Sequence, residues 1–129
     1  MNNNLFFSQS DKYELVATLG TGNFGTVYLV RHRILECLRA IKVIPKTQAH
    51  TDSQLSEARL LKSLHHPGIP IIYEIEEDND YYYLIEEYVE GESLEAYLLN
   101  QTHISQTIFY DFSLQICEIF RYLHNIRPD

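Results

Sequence analysis

Apolar and polar positions follow two regimes along this chain. Up to about residue 90, short β-branched and aromatic runs alternate with polar turns; beyond it, apolar residues recur at three- and four-residue steps. In the first regime, residues 13–19, 26–31, 38–44, 71–77 and 81–88 read as strands. The polar stretch 32–37 joins the second strand to the third, and Pro45 ends the third by removing a backbone donor. Asp78-Asn79-Asp80 is the tight turn between the last two. Between strands three and four, residues 54–64 place Leu55, Ala58, Leu61 and Leu64 on one helical face, with Glu57 beside it. Thr51-Asp52-Ser53 supplies helix-cap chemistry before this segment, and His65-His66-Pro67-Gly68 stops it.

The second regime opens at the break Gly91-Glu92-Ser93. Ser93 is placed to cap a short helix over 94–99, and Ser105 a long one over 106–124. The long helix carries a stripe of Ile108, Phe112, Ile116, Ile119 and Leu123, widened by Phe109 and Phe120, which reads as core. The pattern predicts an α+β fold: a five-stranded antiparallel sheet with one covering helix, followed by two α-helices. The organisation expected is a mobile segment over 1–11, a sheet domain over 12–90 and a helical part over 91–129.

Composition narrows the classes. The 129 residues are 45% hydrophobic and 22% charged, an ordinary globular balance that allows one domain with a real core. A formal charge of −8 argues against a nucleic-acid binder, which needs a basic face. Cys37 and Cys117 stand too far apart in sequence for a metal or redox motif, and two isolated cysteines fit a reducing, cytoplasmic setting. Met1-Asn2-Asn3-Asn4-Leu5-Phe6-Phe7 has neither the basic front nor the apolar length of a signal peptide. No stretch approaches the roughly 20 apolar residues of a membrane span.

The chemistry concentrates in Gly20-Thr21-Gly22-Asn23-Phe24-Gly25-Thr26-Val27, followed by Ala40-Ile41-Lys42. Glycine permits close backbone approach, so the amides of Gly20, Gly22 and Gly25 can lie over a polyphosphate while Lys42 supplies a point charge. A dinucleotide-binding glycine motif opens a helix, yet Val27-Tyr28-Leu29-Val30 reads as strand. A Walker A loop needs Lys-Ser/Thr after its last glycine, where this chain has Thr26-Val27.

The remaining form resembles the amino-terminal lobe of the protein kinases, from about Tyr13 to Asp129. The resemblance implies that Val27 and Ala40 sandwich adenine, that Leu19 covers it, and that Lys42 holds the α- and β-phosphates of ATP. It also implies an ion pair between Lys42 and Glu57, which lies within Ser56-Glu57-Ala58-Arg59. A lysine set among Ala40, Ile41 and Val43 loses hydration, and a nearby carboxylate keeps it charged and aimed. Together these imply a cofactor site of Leu19, Gly20, Thr21, Gly22, Asn23, Phe24, Gly25, Thr26, Val27, Ala40 and Lys42, with no metal ligand.

Residues 84–91 are similar to the hinge between the two kinase lobes, which would give the adenine edge to the Glu87 carbonyl and the Val89 amide. Glu86 departs from the family, which usually has an apolar or small residue there at the back of the pocket. Either the match is offset by one residue or the pocket is unusual. A carboxylate there needs a partner or a raised pKa, and Lys42 would serve in competition with Glu57. His66-Pro67-Gly68-Ile69 resembles the family's His-Pro-Asn-Ile turn, and with no further ligands spaced nearby a metal site at His65 and His66 is not expected. The acidic residues Glu74, Glu76, Glu77, Asp78 and Asp80 read as a solvated hairpin, and Tyr81-Tyr82-Tyr83 as strand packing.

The resemblance implies a serine/threonine-type parent that transfers the ATP γ-phosphoryl to protein hydroxyls with Mg2+. The match over Gly20 to Val27 disfavours a small-molecule kinase. The His-Arg-Asp catalytic loop and the Asp-Phe-Gly metal aspartate are missing from the sequence. The expectation is therefore a fragment of a longer kinase, inactive alone, with a non-catalytic half-kinase as the alternative. The apolar stripe of the long helix would then face water, and self-association through residues 94–124 is expected.

Overall fold

The structure, a computed structural model, describes residues 10–23, 25–47 and 51–126. In chain order the elements are β1 (Tyr13–Gly22), β2 (Gly25–His32), β3 (Cys37–Pro45), α1 (Thr51–Lys62), β4 (Ile72–Glu77), β5 (Tyr81–Glu87), α2 (Leu94–Leu99) and α3 (Gln106–His124). They fall into two units, Met1–Leu64 with Pro70–Tyr88, and His65–Ile69 with Val89–Asp129.

The first unit is the sheet. Its five strands run in the order β1-β2-β3-β5-β4, with every neighbouring pair antiparallel. Strand alternation sends consecutive side chains to opposite faces. One face gathers Tyr13, Val30, Ile41, Val43, Tyr83 and Ile85, with Tyr28 and Tyr81 packed against them. The other gathers Ile44, Ile72 and Leu84 against Ala58 of α1, with Leu61, Ile75 and Tyr82 alongside. Leu55 and Leu64 are buried as well, so the expected face of α1 is the one that packs. Tyr81, Tyr82 and Tyr83 are thus divided between the two faces as packing residues of β5.

Boundaries differ from the expectation mainly at the glycine turn and at α1, which spans Thr51–Lys62 rather than 54–64. Both β1 and β2 extend into the glycine turn, pairing Gly20 with Val27, Thr21 with Thr26 and Gly22 with Gly25. Helix α1 begins at Thr51 rather than after Ser53, so Thr51-Asp52-Ser53 forms its first turn instead of a cap. Asp52 suits that position, since the helix N-terminus favours a negative charge. The β4–β5 turn is tied by Asp78, whose Oδ1 accepts from the amides of Asp80 at 2.9 Å and Tyr81 at 2.8 Å. Its other carboxylate oxygen accepts from the Tyr83 hydroxyl.

The second unit is helical. The Ser93 hydroxyl accepts from the Ala96 amide and that of Ser105 from the Ile108 amide, so both expected N-caps are formed. The His65 amide donates to the Tyr122 hydroxyl at 2.8 Å, and the His66 ring lies 5.0 Å from the Tyr122 ring. The Gly68 amide donates to His66 Nδ1 at 2.9 Å and the Ile69 amide to the His66 carbonyl at 3.0 Å, so a turn over 66–69 follows the end of α1 at Lys62. A Cβ on Gly68 would come within 2.6 Å of Ile119 Cδ1, so the Ile119 side chain packs directly on this turn. No residue of α2 or α3 is buried.

Candidate functional site

The site grows from the register of three strands. On β3, Ala40, Lys42 and Ile44 alternate with the buried Ile41 and Val43, and Ile44 lies on the α1 face. Lys42 pairs with Val27 on β2 and with Leu84 on β5, while Ala40 pairs with Leu29 and with Glu86. Directly opposed residues share a face, so Val27, Ala40, Lys42, Leu84 and Glu86 form one surface on the α1 side. Ile85 points the other way, into the opposite core. The expected adenine residues Val27 and Ala40 therefore lie on the same face as the lysine.

The glycine hairpin continues from this surface. Gly20 and Gly22 have nothing within 4 Å of where a Cβ would stand, so the backbone there is open to a ligand. Gly25 differs. It has φ +121°, and a Cβ would fall 2.0 Å from the Val43 carbonyl oxygen, so glycine is required there by the sheet itself. Thr21, Asn23 and Leu19 are exposed, Thr26 is half-buried, and Phe24 lies outside the described residues. Glu87 closes β5, its amide donating to the Ile71 carbonyl at 2.7 Å and its carboxylate accepting from the Ile71 amide at 3.1 Å. Val89 lies beyond the strand and is exposed.

Lys42 opens onto a cavity of about 110 Å³ between β3, β5 and α1. It is lined by Lys42, Gln54, Glu57, Glu86 and an apolar floor that includes Ile44 and Leu84. The structure thus brings Lys42 and Glu57 to one cavity. Among the described residues, however, no ion pair within 4.0 Å joins them. Glu86 is half-buried there, and burial pushes its carboxyl above the ordinary carboxylate range, while the Lys42 charge offsets part of the rise.

Gln54 is the residue that sequence reasoning missed. It is 8% exposed, and both polar atoms of its side-chain amide are buried without a hydrogen-bond partner. A buried amide left unpaired costs about 1–3 kcal/mol. The signal was available in the helical spacing, because Gln54 stands four residues before Ala58 and seven before Leu61, on the face that packs. The whole arrangement is an ammonium, two carboxylates and an amide around a small cavity, beside an open glycine hairpin. The Lys42 ammonium and the open hairpin backbone suit an anionic ligand, the two carboxylates oppose one, and Val27 and Ala40 suit a flat apolar group.

The sequence model described as the protein kinase domain matches residues 13–127. The chain is 34% identical over 116 residues to serine/threonine-protein kinase SIK1 of Mus musculus, covering 88% of this chain and 15% of that protein. It is 33% identical over 129 residues to serine/threonine-protein kinase cds1 of Schizosaccharomyces pombe, covering 94% of this chain and 28% of that protein. Sperm motility kinase 1 of Mus musculus is 32% identical over 114 residues, 88% of this chain and 24% of that protein. The chain therefore spans 15–28% of the length of these curated relatives.

Proposed function

The chain belongs to the protein kinase domain family, and on that premise we propose that it is the ATP-binding portion of a serine/threonine-type protein kinase. When bound, ATP supplies the γ-phosphoryl group that the parent transfers to a protein hydroxyl, with Mg2+ as its metal partner. Leu19, Val27 and Ala40 hold the adenine, with the Glu87 carbonyl and Val89 amide at its edge. The hairpin from Gly20 to Gly25 and the Lys42 ammonium hold the phosphates, and Glu57 positions Lys42. The observation that carries this reading is the grouping of Val27, Ala40 and Lys42 on one sheet face, next to a hairpin whose Gly20 and Gly22 leave open space. The similarity to two serine/threonine-protein kinases supports that class.

Titration with ATP and magnesium tests the reading, with Lys42→Met as the control. We expect saturable binding by the chain and its loss in K42M with the fold retained. Equal binding by both, or none by either, overturns the nucleotide reading.

Residues 12–90 are the nucleotide-binding domain with its hinge, and 91–129 the helical start of a second domain. The 129 residues contain no His-Arg-Asp or Asp-Phe-Gly sequence, so alone they bind nucleotide without transferring phosphoryl. A second reading, a non-catalytic nucleotide-binding or interaction module, is favoured by the carboxylate of Glu86 in the pocket. A binding module keeps its partner interaction in K42M. Self-association runs through residues 94–124, supported by the exposure of Ile108, Phe109, Phe112, Ile116, Phe120 and Leu123. Sedimentation equilibrium at tens of micromolar checks it, and a monomeric mass overturns it. Among the described residues no helix is long and apolar enough to cross a membrane. The free thiols of Cys37 and Cys117 support a cytoplasmic location, which imaging of a tagged chain would test.

A further inference from the structure

We propose that Glu86 is a second acceptor for the Lys42 ammonium, in competition with Glu57, and that it sets how much of the Lys42 charge is available to a bound phosphate. The proposal rests on the reading of Lys42 as the phosphate-binding lysine, which it deepens.

Placement comes first. Glu86 pairs with Ala40 and Lys42 pairs with Leu84, so Lys42 and Glu86 are diagonal neighbours on one face of β3 and β5. Such diagonal positions lie within reach of long side chains. Glu57 lines the same cavity from α1. Lys42 thus has one carboxylate on the helix and one on the adjacent strand. Among the described residues neither carboxylate is within 4.0 Å of the ammonium, so Lys42 stands uncommitted between the two, close enough to Glu86 for its charge to act on that carboxyl.

The charges around Glu86 are few. Lys42 faces it from β3 and Glu57 from α1; its register neighbour on β4 is the apolar Ile72, and Gln54 is uncharged. With both carboxylates ionised, the one ammonium is outnumbered and the cavity is net negative. That repels phosphate and holds Lys42 inward. With Glu86 protonated, Lys42 pairs with Glu57 alone and is free to face an anion. Phosphate binding and Glu86 protonation therefore reinforce one another. The unpartnered Gln54 amide in the same cavity offers an acceptor oxygen to the Lys42 ammonium and a donor nitrogen to a carboxylate.

Two measurements on the chain test this. In the first, lysines are 13C-dimethylated and the Lys42 resonance, assigned by K42R, is followed against pH by NMR. We expect an acid-range step in the Lys42 signal that is lost in Glu86→Gln and kept in Glu57→Gln. Loss of the step in E57Q with its persistence in E86Q overturns the pairing, as does the absence of any step in the unaltered chain. In the second, ATP affinity is measured from acidic to neutral pH. We expect E86Q to bind about two- to fivefold more tightly at neutral pH, the range a partly exposed ion pair carries, and to lose the rise on acidification. Unchanged affinity in E86Q, where the unaltered chain binds, overturns the tuning. If no variant binds ATP, the nucleotide reading and the tuning fall together, while the NMR step still decides the pairing. Glu86→Met repeats both measurements in case E86Q does not fold.

Discussion

A Cβ on Gly25 would stand 2.0 Å from the carbonyl oxygen of Val43. The β1–β2 hairpin therefore closes over β3 only because residue 25 has no side chain. Its φ of +121° adds a backbone conformation that L-residues rarely adopt. One glycine of the motif is structural, while its two neighbours in the motif leave open space.

That difference separates fold from function within one motif. Gly25→Ala should destabilise the sheet by at least about 1–3 kcal/mol, from backbone strain alone, before the clash is counted. Gly20→Ala and Gly22→Ala should leave the unfolding midpoint nearly unchanged and act on nucleotide affinity instead. Chemical denaturation of the three variants, set beside an ATP titration, checks the division.

Gln54 leaves a buried amide without a partner. Gln54→Met, close in volume and free of polar atoms, should stabilise the first unit by about 1–3 kcal/mol. A denaturant midpoint that falls in this variant would mean that the amide is satisfied in solution.

Glu86 makes stability depend on pH in a definite direction. Its folded pKa is raised, first by burial, with the Lys42 charge offsetting part of the rise. The stability tied to its proton is therefore fully present below the ordinary carboxylate range and lost as pH rises through the folded pKa. Glu86→Gln should flatten the stability profile across that window and be the more stable protein at neutral pH. Unfolding free energies measured from acidic to neutral pH check the sign.

Asp78 acts in the opposite sense. Burial pushes its carboxyl up, but the Tyr83 hydroxyl, the amides of Asp80 and Tyr81 and the charge of Lys46 outweigh burial and hold it below the ordinary value. Its stabilisation is present above the ordinary carboxylate range and lost as pH falls through the folded pKa. Asp78→Ala should cost about 1–3 kcal/mol at neutral pH and remove that acid limb. Circular dichroism melts of the variant between neutral and acidic pH report both effects.

Much of the fold was legible because its signals are local. Alternating Val, Ile, Leu and Tyr placed all five strands, and Ser93 and Ser105 marked the starts of α2 and α3. The start of α1 was misplaced because Thr51, Asp52 and Ser53 suit both an N-cap and a first turn. For the candidate site, the glycine spacing and the Ala40-Ile41-Lys42 run pointed to Val27, Ala40 and Lys42, which the register then put on one face. Gln54 was passed over because a polar residue on a helix is ordinarily solvated, and only packing against the sheet buries it.

The sequence by itself determined the element types, their order and the family, since periodicity, caps and a glycine motif are each written within a few neighbouring residues. Only the tertiary structure decided that Glu86 stands diagonal to Lys42, that Gln54 closes their cavity, and that Val43 forbids a side chain at residue 25. These relations join residues far apart in the chain. They depend on strand register and helix docking, which set distances and burial, and no local pattern encodes either.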